Sequence, residues 1–475
     1  MRPPSPRPVR HTHPHSPRGS ILIVALLLSA IISVSLVSYL QLSNTTLKIA
    51  SRSFLSNSSI YLSESGIELA MACLTDYQVN GVGLDIAWPT AIWTKDKAAH
   101  TAKATFPTAS PYYFRLGASA TGVIKVCVQN YDLAGDPVIV AKSVITPASG
   151  GGPVITKYLK ITLARRSRFT NGLVAQDSIT WVGRPEADSW NSAAASPAVA
   201  YSASIRTANC TVGCVDGNIS LGSGGQVYGY AKTGASGVTS GGSVHGLGTI
   251  THDSNRVTKD FSANFPVIIR PIPFTTTTLS AVPITLPKTT APADIAAADG
   301  RYYYSWPSTL GAINNDIRIS GNITITMIDR PGADAIGLTG SKTLTIMTGA
   351  SLILYTDGHI SAFGNGIANS STAEKFQIYG TATAAQFQRI VVGGNGNLIA
   401  AIYAPNAAVE LKGGGSSGNV MGAVVAKTIS MNGGTNFHYD EALASLTAGG
   451  GYRTSQWKEL QSAAERAPYV TLLNF

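Results

Sequence analysis

The sequence predicts a mixed fold with a long N-terminal α-helix, a small antiparallel sheet and an all-β, right-handed parallel β-helix. An uncharged, largely apolar run covers residues 19–47. Strand-like segments follow between residues 112 and 166, and short apolar runs then alternate with Gly/Asn/Thr-rich turns. We divide the chain into a basic leader (1–19), a transmembrane or filament helix (20–75), an antiparallel sheet (76–168), a parallel β-helix domain (169–445) and a C-terminal tail (446–475).

The composition indicates a turn-rich extracellular protein. Only 13% of residues are charged, against about 25% in an average globular protein, and 48 of the 475 residues are glycine. The net charge is +10, yet the first acidic residue is Glu64. The basic residues before it are Arg2, Arg7, Arg10, Arg18, Lys48 and Arg52. Much of the basicity is therefore a topogenic signal, and we predict no nucleic-acid partner.

The apolar run from Ile21 to Leu42 is long enough to span a bilayer, which takes roughly 20 residues. Four arginines precede it, so the N-terminus should remain in the cytoplasm. No proline occurs between Ser20 and Tyr77, and the only glycine there is Gly66. The run should therefore continue as one helix, roughly 85 Å long. A conventional signal peptide, cut near residues 33–35, is the alternative.

The local sequences RGSILIVALLLSAI and SRSFLSNSSIYLSESGIELAMA resemble type IV prepilins, and look most like PilX-type minor pilins and K-type minor pseudopilins. This resemblance implies that a prepilin peptidase cuts between Gly19 and Ser20 and that the new N-terminus is methylated. It also implies that the helix packs on the sheet, anchors the chain in the membrane and later joins other pilin subunits in a filament. An ordinary signal anchor is the competing interpretation.

One residue departs from the major-pilin pattern. Major pilins carry a glutamate at the fifth mature position, where this chain has Val24. A buried charge needs a partner, and without the carboxylate this subunit cannot supply one to a neighbour's N-terminal amine. K-type members share this absence and lie at the filament tip. The resemblance therefore implies a tip or minor position.

The segment after residue 169 shows a repeat. Ile378-Tyr379, Ile402-Tyr403 and Ala423-Val424 lie 24 and about 21 residues apart, a period typical of solenoids. A β-sandwich or jelly roll is the alternative. The sequences IYAPNAAVELKGGG and GAVVAKTISMNGGTNFHYDEAL resemble the C-terminal domain of bacterial PilX-like proteins, which implies an architecture rather than a mechanism.

No catalytic residue and no cofactor is predicted. The motif HYDE supplies weak metal-ligand candidates in His438, Asp440 and Glu441, but we favour a polar cap that closes the solenoid end. Asp188, Asn191 and Ser192 are interpreted as turn residues. β-Helix polysaccharide enzymes need clustered carboxylates, and the predicted rungs carry only isolated charges at Glu410, Lys412 and Lys427.

The chain has four cysteines, and all would lie outside the cytoplasm, where disulfides persist. Cys210 and Cys214 are spaced to close a small loop. The pilin resemblance implies a bond between Cys73 and Cys127, from the helix end to the sheet. Sequence alone fixes neither pairing, and free thiols remain an alternative.

These observations predict a minor pilin, a structural and adhesive part of a surface filament that displays the β-helix outside the cell. It would begin as a single-pass inner-membrane protein. Its partners would be other pilin subunits, the prepilin peptidase, the membrane and surface glycans or proteins. The alternatives are a β-helix carbohydrate-active enzyme on a signal anchor and a minor pseudopilin of type II secretion. The tail, with a helical pattern in QWKELQSAAE, should cover the solenoid end or stay mobile.

Overall fold

The structure is a computed structural model. Its first two elements are helices. The residues that it describes are 20–78, 84–108, 114–116, 120–132, 136–148, 152–266, 268, 276–297, 299–363, 366–394, 397–413, 418–446 and 451–475. Helix α1 (Ser20–Gln78) is continuous over 59 residues, and the short α2 spans Leu84–Ala87. Because no proline interrupts α1, every backbone donor beyond its first turn can bond within the helix.

The two halves of α1 have different surroundings. Residues 21–54 are exposed throughout, whereas Leu55 and residues at one face after it are buried against a sheet. Ser59 and Ser63 are fully buried, and both bond to the hydroxyl of Ser143 at 2.7 and 2.9 Å. At Gly66 an added Cβ would lie 2.8 Å from a methyl group of Val126. A glycine therefore lets the helix lie close to the sheet.

An antiparallel sheet packs on the second half of α1. Its strands are β1 (Thr94–Asp96), β2 (Thr101–Phe106), β3 (Phe114–Arg115), β4 (Ala120–Gln129), β5 (Val138–Pro147) and β6 (Ile155–Arg165). Strands β1, β2, β4, β5 and β6 are neighbours in that order, and β3 pairs with β4. Alternate residues of β4 face the helix, so that Ile124, Val126 and Val128 share a core with Ala70 and Leu74.

The next part of the chain is a parallel, solenoid-like β domain. Its strands are β7 (Leu173–Gly183), β8 (Glu186–Trp190), β9 (Cys210–Cys214), β10 (Asn218–Ser220), β11 (Gln226–Thr233), β12 (Thr239–Ser240), β13 (Ser243–His245), β14 (Val257–Thr258), β15 (Thr277–Thr278), β16 (Thr285–Leu286), β17 (Tyr302–Ser305), β18 (Ile317–Ile319), β19 (Asn322–Met327), β20 (Asp334–Leu338), β21 (Leu344–Ile346), β22 (Ser351–Thr356), β23 (His359–Ala362), β24 (Ile367–Asn369), β25 (Phe376–Gly380), β26 (Gln388–Gly394), β27 (Leu398–Gly413), β28 (Asn419–Gly433) and β29 (Asn436–Asp440). Among the described residues, the pairings between these strands are parallel, as in β22 with β25, β25 with β27 and β27 with β28.

The rungs do not stack in chain order. Strand β7, the first of the domain, lies between β28 and β9 and pairs in parallel with both. The last strands, β28 and β29, therefore pair with the first strands, β7 and β8. The first rung thus lies inside the stack and not at its end. The predicted repeat is present in the structure, but its register differs at one rung. Tyr379 and Tyr403 are opposite each other, but Tyr403 lies opposite Val425, so Ile402-Tyr403 matches Val424-Val425 instead of the predicted Ala423-Val424.

The C-terminal segment completes the antiparallel sheet. Strand β30 (Tyr452–Glu459) pairs with β6, and α3 (Ala463–Val470) follows it. Leu460 and Leu473 are buried with Cys127, on the face of the sheet opposite α1. The predicted tail therefore neither covers the solenoid end nor extends freely. Because β6 and β30 are adjacent, the solenoid domain is an insertion between two neighbouring strands of the sheet.

Candidate functional site

The first half of α1 presents a long, continuous apolar surface. From Ile21 to Leu42 each large apolar side chain is exposed, with fractions from 53% to 71%. At 1.5 Å per residue this part is about 33 Å long, close to the hydrocarbon thickness of a bilayer. Soluble monomers rarely leave so much contiguous apolar surface in water. The helix is long and apolar enough to cross a membrane.

The predicted processing site lies where α1 begins. Ser20 is the first residue of the helix. Gly19 lies outside the described residues, and so does the rest of the leader. The prediction of cleavage between Gly19 and Ser20 therefore stays a prediction from the sequence.

The strongest buried polar arrangement involves a predicted metal candidate. His438 on β29 lies opposite Asp188 on β8, and the distance from Nδ1 to Oδ1 is 2.6 Å. Asp188 is fully buried, and the hydroxyl of Tyr201 donates to its second oxygen at 2.6 Å. The ring of Tyr201 stacks on that of His438 with centroids 3.6 Å apart. We call Asp188, Tyr201 and His438 the His438 cluster.

The electrostatics of this cluster favour a neutral tyrosine. Burial raises the pKa of the Tyr201 phenol, and its hydrogen bond to Asp188 raises that pKa further. A carboxylate accepts only, so with Asp188 ionised Nδ1 of His438 carries the hydrogen of their bond. Nε2 lies 3.4 Å from the side-chain amide of Asn419, whose NH₂ group is the donor to Nε2 when Nδ1 carries the ring hydrogen. Both ring nitrogens thus have protein partners, which is typical of a structural histidine.

The other metal candidates also have bonds of their own. Asp440 accepts hydrogen bonds from the backbone N–H groups of Ser192 and Ala442 at 3.0 and 3.2 Å, and burial raises its pKa. Glu441 accepts from the hydroxyl of Thr207 and from the amide of Asn209. In the part of the chain that the structure describes, no group of three His, Cys, Asp or Glu side chains is arranged to hold a metal ion.

Two interpretations of polar motifs change with the structure. HYDE does not close the end of the solenoid, because β29 is enclosed between β28 and β8. Asp188 is not a turn residue, because it lies inside strand β8. Asn191 does have a turn role, since its side chain accepts from Ala193 N at 2.9 Å. No local signal marked Asp188, because its partner His438 is distant in sequence.

None of the four cysteines forms a disulfide bond. Cys210 and Cys214 lie on the single strand β9, where four residues span about 13 Å, whereas bridged Cα atoms lie roughly 4.4–6.8 Å apart. Cys73 packs on the helix side of the sheet, but Cys127 lies on the opposite face with Leu460 and Leu473. Both proposed pairings are therefore wrong for geometric reasons.

The fold and the exposed helix together define a protein with one long, apolar N-terminal helix and a largely β, solenoid-like domain. A family model described as a domain of unknown function, DUF7305, matches residues 285–446, from β16 to the turn after β29. A solved DUF3494 domain, ice-binding protein 1 of Shewanella frigidimarina, is 13% identical. That match covers 58% of this chain and 99% of the other, with a TM-score of 0.20. No curated protein matches the chain.

Proposed function

We propose that this chain is a minor pilin, a structural and adhesive component of a surface filament. The observation that carries the proposal is the division of α1. Its first half exposes apolar side chains over the length of a bilayer, and its second half forms the core of an antiparallel sheet. In a membrane, lipid covers the first half. In a filament, the corresponding helices of other subunits cover it.

The processing step belongs to this proposal. A prepilin peptidase removes residues 1–19, so that Ser20 becomes the N-terminus and α1 is retained. Val24 stands where major pilins have a glutamate, which supports a position at the tip or among the minor subunits. The solenoid domain then lies outside the cell, where it contacts surface glycans or proteins.

We further propose that the solenoid is a right-handed parallel β-helix. Its neighbouring strands are parallel, and connections between parallel strands of one sheet are right-handed in about 98% of known cases. From β17 to β28, where successive rungs stack in chain order, a right-handed path would carry each rung over the preceding one.

Mass spectrometry of the mature N-terminus tests the proposal. We expect a methylated Ser20 in protein from cells, an unprocessed chain for Gly19→Leu, and normal processing for His15→Ala, a control in the leader. An intact Met1, or a mature start near residue 36, would overturn the proposal. Immunogold labelling of isolated filaments tests the position separately, since uniform labelling along the shaft contradicts a tip or minor role.

A further inference from the structure

Two pairs of opposite charge lie along α1 with the same spacing. Lys48 and Arg52 are four residues apart, and so are Glu64 and Glu68. Lys48, Arg52 and Glu68 are exposed, and Glu64 is partly exposed. Among the described residues, no ion pair includes any of these four side chains. We call them the basic pair and the acidic pair, and each is available to a partner outside the chain.

The basic pair and the acidic pair lie on opposite sides of the helix. At 3.6 residues per turn, the 16 residues from Lys48 to Glu64 rotate the side chain by about 160° beyond whole turns. Lys48 precedes the buried Leu55 by seven residues, or nearly two turns. The basic pair is therefore on the side of α1 that the sheet covers further along. The acidic pair is on the side that faces away from the sheet.

Large apolar side chains accompany the acidic pair. Phe54 and Tyr61 are seven residues apart, and Tyr61 is seven residues before Glu68, so the three share one side of α1. Phe54 and Tyr61 are 63% and 67% exposed, and they continue the apolar surface of the first half of the helix. Large exposed apolar surfaces with polar neighbours mark interaction sites. The acidic side of α1 therefore has the character of a contact surface.

A second copy of the same helix supplies the complementary charges. When a parallel copy of α1 is displaced by about 16 to 20 residues, or about 24–30 Å, its acidic pair comes level with the basic pair. Because the two pairs point in opposite directions, a copy moved sideways without rotation presents its acidic side to the basic side of the first. Unlike charges then meet, whereas copies without displacement would place like charges at the same level.

A two-fold arrangement of the copies does not satisfy both pairs. A two-fold contact uses the same surface patch on each copy. Here the two patches lie on opposite sides of the helix, so one such contact cannot contain both. The charges therefore fit a staggered, head-to-tail contact between parallel helices.

We propose that the basic pair of one copy binds the acidic pair of a second copy of this chain. Exposed ion pairs contribute little to affinity, so they set the stagger, while packing along the first half of α1 supplies most of the contact. This inference rests on the proposed function, because α1 must be retained, and it adds the identity of a neighbour. It needs only two adjacent copies and so agrees with a minor component.

Cross-linking in membranes of cells that produce the full chain tests the contact. Thr45→Cys and Tyr61→Cys are introduced together, because these positions are 16 residues apart and leave both charged pairs intact. Within one helix they are about 24 Å apart, too far for a short bismaleimide to bridge. We expect covalent dimers or longer ladders of the chain from the double variant. Either single variant, and the unaltered chain with its native thiols, should give few.

Charge reversal in the double-cysteine background tests the pairing itself. Reversal of the basic pair, by Lys48→Glu with Arg52→Glu, should lower the cross-linked fraction about fivefold or more, because like charges then meet. Additional reversal of the acidic pair, by Glu64→Lys with Glu68→Lys, should restore the cross-link. A chain that had merely misfolded would not recover in this way.

The matched control reverses two exposed charges of the solenoid, by Lys288→Glu with Arg318→Glu, and should leave the cross-linked fraction unchanged. No cross-link in the double-cysteine chain, no loss on reversal of the basic pair, no recovery in the four-charge variant, or adducts only with another protein would each overturn the proposal. A methylated Ser20 without a cross-link would reject this contact and leave the proposed filament role intact. An intact Met1 would instead reject the filament role.

Discussion

Lys157 Nζ lies 2.5 Å from Glu459 Oε1, although 302 residues separate the two in sequence. The pair joins β6 to β30, the two strands between which the solenoid domain is inserted. Both side chains are at least three-quarters buried. The C-terminal segment is thus part of the sheet that packs on α1.

Replacing Leu473 should destabilise the sheet from the face opposite α1. Leu473 is fully buried beside Cys127 and Leu460. We expect Leu473→Ala to lower the free energy of unfolding by about 2–4 kcal/mol, as for other buried leucines. Urea denaturation of the full chain in detergent measures this loss. Val470→Ala, at a position 38% exposed, should lower the free energy of unfolding much less. Equal losses for the two variants would contradict the packing of the C-terminal segment on this face of the sheet.

The thiols should all be titratable in protein prepared without reductant. We expect four free thiols per chain in denaturant, because the two faces of the sheet separate Cys73 from Cys127. In the native state burial raises the pKa of the Cys127 thiol to about 11. Little thiolate then exists at pH 8, and labelling of Cys127 should be slow. Finding two thiols in denaturant would show that a disulfide forms.

Gly66→Ala should destabilise the packing of α1 on the sheet. Alanine favours helix by about 1 kcal/mol over glycine, but its Cβ would lie 2.8 and 2.9 Å from methyl groups of Val126 and Ile124. Overpacking of this kind costs about 1–3 kcal/mol. We expect a lower melting temperature than for the unaltered chain. Ser65→Ala, on the exposed face of the same turn, should melt at the same temperature as the unaltered chain or at a higher one. A higher melting temperature for Gly66→Ala would contradict the close approach of α1 to the sheet.

Asp188→Ala should be among the more damaging changes in the solenoid. It leaves the Tyr201 hydroxyl and Nδ1 of His438 without their shared acceptor. Loss of a partner inside a buried network costs about 3–5 kcal/mol. Chemical denaturation compares this variant with Asp177→Ala, whose partner Lys427 is 3.8 Å away with both side chains more than 40% exposed. Asp177→Ala should change the free energy of unfolding by under about 1 kcal/mol. Similar losses for Asp188→Ala and Asp177→Ala would reject a structural role for the His438 cluster.

Acid should remove the stabilising effect of Glu410. The hydrogen bond from Arg389, together with the bond from Lys412, lowers the pKa of Glu410 to about 2. A lowered pKa in the folded state stabilises the protein above the ordinary pKa of about 4.5, and the effect disappears as the pH falls towards 2. At pH 6 the unaltered chain should have a higher melting temperature than Glu410→Gln. Near pH 2 the two melting temperatures should be equal. A constant difference, or one that grows in acid, would contradict this linkage.

Sequence patterns predict elements here better than they predict neighbours. The proline-free helix and strands β3 to β6 follow from local periodicity, because each buries one face. Strands β1, β2 and β30 belong to the same sheet but were not predicted. The position of β7 between β28 and β9 has no local signal, since any apolar rung can stack on another. The pattern in QWKELQSAAE indicates helix. Pairing of Trp457 and Lys458 with β6 overrides that preference in the first part of the segment, which is strand up to Glu459. The helix begins only at Ala463.

The candidate site was predicted only in part. The motif HYDE drew attention to His438, but its partners Asp188 and Tyr201 come from a distant segment, so the spacing of HYDE itself could not reveal them. A cleft of about 640 Å³ between the two chain crossings (residues 166–171 and 451–452) and residues 262–266 was not predicted. It forms only where these segments meet in the folded chain, and none of them carries a recognisable motif.

The insertion of the solenoid has a mechanical consequence. The chain leaves the sheet after Arg165 and re-enters it at Tyr452, and these residues lie opposite each other. A pull on the solenoid domain therefore divides between two covalent connections that end side by side on the sheet. Proteolytic nicking of either connection alone leaves the solenoid domain attached to the sheet.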